Sequence, residues 1–295
     1  MPDEGDVTGR LEHWVRAVGS VVAPATLLSA LLFYFGYVST RSQYEYFGID
    51  VDLIGLATQD YVMRSPQPLL TPLLVLTLAS VGALVLHSAL QRRIAAAQDT
   101  ARLRFAARVL TAVGLVVLGA GIGLLLLYAL VRGWVWYALV TPLLIAVGGV
   151  LVVYGFRVLR RLDPGAPAAS AVRRVSLALV LVVVGVSLFW TTATIAQWSG
   201  RGLALAQARA LDGLPSVIVD TKERLFPRSP GIDETALPPA AGQTYHYRYR
   251  NLRLLVHGND RMFLVPRTWS ASDTTLVVPL DSSVRVQFQF QNQAP

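Results

Sequence analysis

Charged side chains are absent from five long stretches of this chain: Ala17 to Val38, Pro68 to Leu90, Val109 to Val131, Trp134 to Phe156 and Val175 to Trp198, each of 22 to 24 residues. A helix rising about 1.5 Å per residue crosses a bilayer core of about 30 Å within such a length. The pattern predicts a membrane α-helical bundle of five transmembrane helices over residues 17–198. After it the period shortens. Tyr245, Tyr247 and Tyr249 alternate with His246, Arg248 and Arg250, and Val284, Val286, Phe288 and Phe290 alternate with Arg285, Gln287 and Gln289. Alternation of this kind marks half-buried strands. Together with Ser216 to Asp220, Leu252 to Val256, Phe263 to Val265 and Leu276 to Leu280, these runs predict a small all-β domain over 215–295, a sandwich or an open barrel.

The apolar parity switches from odd to even positions between Tyr249 and Leu252, and a two-residue turn at Arg250-Asn251 accounts for the switch. That register sets Arg248 opposite Arg253, which is a cost. A second turn within Gly258-Asn259-Asp260 leads to the strand of Phe263 and Val265. Tyr247 and Phe288 are expected to point inward. Pro227 to Gly242, with four prolines, reads as loop, and residues 199–214 as a helical linker that Gly200 and Gly202 weaken and Leu214-Pro215 ends.

Charge orients the spans. Arg92, Arg93, Arg102, Arg104 and Arg108 fall between the second and third, and Arg157, Arg160, Arg161, Arg173 and Arg174 between the fourth and fifth. Positive loops stay in the cytoplasm. Alternation then makes residues 1–16 a cytoplasmic segment and the β domain extracytoplasmic, in a bacterial plasma membrane. The first span is retained rather than cleaved, because it is too long for a signal-peptide core and follows Asp3, Glu4, Asp6 and Glu12. The net charge of +8 suggests nucleic acid only until those ten arginines are set aside, and no nucleic-acid partner is expected.

Tyr34, Tyr37, Trp134, Trp136, Tyr137, Trp190 and Trp198 mark span ends, where amphipathic rings prefer to lie. Gly119 and Gly123 form a small-residue pair suited to helix packing, within the bundle or between copies of the chain. No Asp, Glu, Lys or Arg interrupts a span, which argues against proton relays and ion-coupled carriers. His87 reads as an interfacial histidine. In the fifth span Ser187, Thr191, Thr194 and Trp198 share one helical face. That stripe either bonds within the helix packing or lines a hydrated path.

The connection over residues 39–67 is too long for a turn and too apolar for disorder. Its aromatic residues Tyr44, Tyr46, Phe47 and Tyr61 are candidates for docking this ordered outer loop onto the β domain. Thr58 is placed to cap a short helix with Asp60 in its first turn, ended by Pro66 and Pro68. The phrases Tyr46-Phe47-Gly48-Ile49-Asp50, Gln59-Asp60-Tyr61, Thr221-Lys222-Glu223-Arg224-Leu225, Tyr247-Arg248-Tyr249-Arg250 and Phe263-Leu264-Val265-Pro266 resemble a family of uncharacterised multi-pass membrane proteins of actinobacteria. The resemblance implies architecture and no activity.

Cysteine is absent, which removes thiolate chemistry and Cys-ligated metals. No phosphate-binding loop, zinc-protease or nucleophile-elbow motif occurs. His246 and His257, with Asp260 and Asp273, come nearest to a metal set, but opposite strand parity separates the two histidines. No cofactor is expected. Arg248, Arg250, Arg253, Arg267 and Arg285 are candidates for contact with a partner or anionic lipid. The reading is a non-enzymatic membrane protein whose outer domain binds a partner protein, envelope polymer or lipid. An oligomeric pore or small-solute channel is the alternative.

Overall fold

The computed structural model describes residues 4–96, 100–162, 170–270 and 272–289. In chain order these form helices α1 (Glu4–Glu45), α2 (Val51–Ile54), α3 (Thr58–Arg64), α4 (Pro66–Ala96), α5 (Thr100–Leu126), α6 (Tyr128–Val131), α7 (Tyr137–Leu162) and α8 (Ser170–Arg209), followed by strands β1 (Ser216–Thr221), β2 (Asp233–Ala236), β3 (Tyr247–Gly258), β4 (Arg261–Pro266), β5 (Leu276–Pro279) and β6 (Val284–Phe288). Five of the helices, α1, α4, α5, α7 and α8, are long and apolar enough to cross a membrane. The chain divides into two compact units, one of residues up to Pro68 with those from Gln197 onward, the other Leu69–Ala196.

In the second unit, α5 and α7 approach so closely that glycine is required where they touch. A Cβ on Gly148 would stand 2.5 Å from the Leu118 nitrogen, and one on Gly114 2.8 Å from the Val152 nitrogen. Gly121 and Gly155 are crowded in the same way, by Ile145 and Thr111. The seam therefore repeats every seven residues on each helix and runs antiparallel. Gly119 and Gly123 are not part of it: a Cβ on either meets nothing within 4 Å. Pro142 lies inside α7 and removes the donor that the Ala138 carbonyl would otherwise receive. The Thr194 hydroxyl, on α8, lies 3.2 Å from that carbonyl and supplies the missing donor. Beside the proline, the Thr141 hydroxyl is buried without a hydrogen-bond partner among the described residues.

In the first unit α1 and the end of α8 run beyond their apolar stretches. α1 continues seven residues past Val38 to Glu45, so the expected loop begins later than its sequence suggests. α8 passes through Gly200 and Gly202 without a break, making the expected linker a helix as far as Arg209. The reason is mutual packing. A Cβ on Gly200 would fall 2.0 Å from the Ser39 carbonyl, Ser39, Thr40, Ser42 and Ala204 are buried, and Gln43 donates to Gln207 at 2.9 Å. α1 then ends in a Schellman cap. Ile49 N–H donates to the Tyr44 carbonyl and Gly48 N–H to that of Glu45, with Gly48 at φ 73°. Ala57, rather than Thr58, is the N-cap of α3, and the Asp60 carboxylate accepts from its N–H at 2.9 Å. Pro66 starts α4 instead of ending α3, since a first-turn proline loses no helical bond.

The strands form one antiparallel sheet in the order β5-β4-β3-β1-β6, with β2 on β3. Of the two expected forms, a sandwich or an open barrel, the sandwich is not seen: no second sheet stands opposite this one among the described residues. β2 lies inside the segment expected to be loop. Arg250-Asn251 is not a turn: β3 runs through it as a single 12-residue strand. One residue of β1, Ile218, lies opposite both Arg250 and Asn251, and Asn251 takes φ 59°. This β-bulge flips the parity that the sequence displays. Because the strand does not fold back, Arg248 never faces Arg253. Asn259 and Asp260, both at positive φ, make the tight turn into β4, in the geometry that matches strand twist.

Bulges also redistribute the faces. Val217, Val219, Tyr249, Leu252, Met262, Leu264 and Val278 form one buried cluster. Leu255, Phe263 and Val265 belong to another, completed by Tyr44, Phe47, Ile49, Val51, Ile54, Tyr61, Ala204 and Leu211. The segment after α1 thus shares a core with the sheet. Phe288, expected to point inward, is 62% exposed at the end of an edge strand, and Tyr247 is only half-buried.

Candidate functional site

The arginines singled out in the sequence are largely engaged within the β region. Asp220, the last residue but one of β1, has its side chain fully buried. Arg248, opposite it on β3, donates through Nε and Nη2 at 2.7 and 2.9 Å, and Arg285, opposite it on β6, donates through Nη2 at 2.5 Å. The carboxyl is held below the usual carboxylate range, chiefly by the Arg248 hydrogen bond, with burial opposing and Arg285 adding to the effect. Arg285 also lies 5.0 Å over the Tyr245 ring. Arg253 and Arg267 both donate to Asp212, at 2.8 and 2.9 Å. Four of the five cations are therefore tied to carboxylates, and the exposed Arg250 side chain has no such partner among the described residues. Alternating residue types reveal a cationic face but not the acids that reach it from 28 or more positions away.

The hydroxyl stripe of α8 is enclosed. Ser187, Thr191 and Thr194 are each less than 9% exposed, and the Thr191 hydroxyl donates to the Ser187 carbonyl at 2.9 Å. Trp198 is partly buried at the end of the row. His87 Nδ1 lies 2.9 Å from the Tyr154 hydroxyl. His246 and His257 are both exposed, His246 Nδ1 sits 3.1 Å from the Lys222 carbonyl, and the described residues contain no metal-binding group of three or more His, Asp or Glu.

The aromatic candidates converge. Tyr44, Phe47 and Tyr61 are buried, while Tyr46 is 39% exposed. Tyr61 packs edge-on to Phe33 and Tyr37 of α1, at 5.5 and 5.4 Å, and Arg64 donates to the Tyr44 hydroxyl at 3.1 Å. Phe47 meets Trp269, in the β4–β5 connection, at 5.1 Å between ring centroids. The Thr275 hydroxyl donates to the Phe47 carbonyl at 2.6 Å. Between these segments opens a cleft of about 660 Å³ lined by Glu45, Tyr46, Phe47, Gly48, Trp269, Ser270, Asp273, Thr274 and Thr275.

The cleft is preorganised. Asp273 accepts from the Ser270 amide at 2.7 Å and from its hydroxyl at 2.6 Å, closing the loop that presents Trp269. The Thr274 amide donates to the Ser229 hydroxyl at 2.9 Å. Glu45 is paired with Arg41 at 2.6 Å, one helical turn back. Trp269, Glu45 and Asp273 carried no signal in the sequence, because neither segment forms the cleft without the other. Comparison with known protein families, curated proteins and solved structures finds no match to this chain.

Proposed function

We propose that this is a non-enzymatic protein of a bacterial plasma membrane, related to the actinobacterial multi-pass proteins its motifs resemble. Its β domain stands on the extracytoplasmic side and binds a partner protein, an envelope polymer or a lipid there. The observation that carries this reading is the open, aromatic-walled cleft on the sheet's shared core with the end of α1. Ligand sites of this kind are concave and largely preformed, with few polar groups. The ten arginines of the two short connections support the orientation. An oligomeric pore along Ser187, Thr191 and Thr194 ranks second, because hydroxyls that bond carbonyls within a packed face offer an ion little in place of its water. Gly119 and Gly123 remain the surface through which copies of the chain would meet.

The natural lack of cysteine makes the orientation testable with single introduced thiols. Ser272→Cys is expected to react with a membrane-impermeant maleimide on intact cells, and Arg160→Cys only after permeabilisation. The opposite pattern would place the cleft in the cytoplasm and remove the proposal.

A further inference from the structure

The chemistry of the cleft selects among ligands. Among the described residues its lining carries two carboxylates, Glu45 and Asp273, and no lysine, arginine or histidine, with Arg41 reaching Glu45 from one helical turn back, in a chain whose formal charge is +8. Tyr46 and Trp269 supply aromatic surface on its walls, both leaning edge-on against Phe47, at 5.2 Å and 85° and at 5.1 Å and 63°. Phe47 is itself 1% exposed and is fixed by the Thr275 bond to its carbonyl, so the two outer rings rest on an immobile third. The cleft also lies at the C-terminus of a 42-residue helix. Backbone dipoles place partial negative charge at that end. The left-handed Gly48 contributes no side chain there, and a Cβ would meet nothing within 4 Å.

Aromatic faces, carboxylates and a helix C-terminus all favour positive charge, and the first of these suits a cation whose charge is spread over carbon. An anion meets repulsion from Asp273, whereas the charge of Glu45 is already shared with Arg41 at 2.6 Å. A neutral sugar would use the rings and the acceptors but would draw nothing from the charge. We infer that the cleft binds an organic cation, an ammonium or trimethylammonium group carried on a small molecule or headgroup, seated between Tyr46 and Trp269 and faced by Glu45 and Asp273. The inference rests on the binding role proposed above and names its ligand class.

Choline and its uncharged carbon isostere 3,3-dimethylbutanol provide the test. The full chain is placed in nanodiscs of phosphatidylglycerol, which presents no ammonium, and tryptophan fluorescence and titration calorimetry follow each addition at constant ionic strength. Choline is expected to bind saturably and the isostere about tenfold more weakly. Asp273→Asn keeps an acceptor for Ser270, and Glu45→Gln keeps its size; each is expected to weaken choline by about threefold to tenfold and leave the isostere unchanged. Tyr46→Leu, at a half-exposed position outside the core, should weaken choline with no loss of thermal stability. Equal binding of the two compounds, no saturable response to choline, or a stronger response to a neutral oligosaccharide of N-acetylglucosamine would overturn the inference. The oligosaccharide result would leave a receptor with another ligand, whereas failure of Ser272→Cys to label from outside would remove the receptor whatever choline does.

Discussion

Gly258→Val is expected to destabilise the β unit by about 3 kcal/mol or more, at the upper end of what overpacking costs. A Cβ at Gly258 would stand 2.1 Å from the Ile54 carbonyl and 3.0 Å from its Cγ2 atom. The obstacle includes backbone, held at the end of α2 by Gly55 in a left-handed conformation, so it does not yield by a change of rotamer. α2 must therefore lift from β3, and Val51, Ile54 and Leu255, all buried, would be uncovered together. Gly213→Ala provides the comparison, since a Cβ there meets nothing within 4 Å. Thermal unfolding of the full chain in detergent, with limited proteolysis of residues 44–61, reads both effects. A Gly258→Val protein as stable and as resistant as the parent would show that α2 does not lie against β3.

Asp220→Asn is expected to cost about 3 kcal/mol, because removing one partner of a buried ion pair leaves charge without its counterion. The carboxylate is fully buried and serves two arginines that are 25% and 47% exposed, so partial solvation of the cations keeps the loss near the lower end of that range. The same pair sets an acid limit. Asp220 binds its proton less tightly in the folded chain than in the unfolded one. Its contribution is then complete above the unfolded value of about 3.9 and is lost as pH falls through the lower folded value. The parent protein is expected to lose stability as pH falls below about 4, and the Asp220→Asn variant to show a flatter dependence over that range. Identical pH profiles would mean that Asp220 does not carry the effect.

The five spans were legible because a bilayer core demands about 20 uninterrupted apolar residues, a requirement written into consecutive positions. Their extensions were not. Residues 39–45 are polar enough to read as loop, and their helicity comes from α8, about 160 positions away. The strands were visible as alternation, whereas Asn251 was misread for a local reason. A turn and a bulge both favour Asn at positive φ, and only the pairing of Ser216 with Arg253 and Val219 with Tyr249 distinguishes them. Tyr44, Phe47 and Tyr61 stood out as aromatics too apolar for a free loop. Trp269, which completes their contact, had no companion within its own stretch of chain to mark it. The arginine row was legible and its meaning was not, since Asp212 and Asp220 neutralise it from outside the alternating segment.

That residues 44–61 and the sheet fold as one unit is tested most directly by a double-mutant cycle on Phe47 and Trp269. Phe47→Leu, Trp269→Leu and the double variant are compared with the parent by chemical unfolding of the full chain. Rings 5.1 Å apart at 63° are expected to be coupled by about 0.5–1.5 kcal/mol, so that the double variant loses less than the sum of the two single losses. Additive losses, with no coupling energy, would separate the aromatic segment from the sheet and remove the cleft between them.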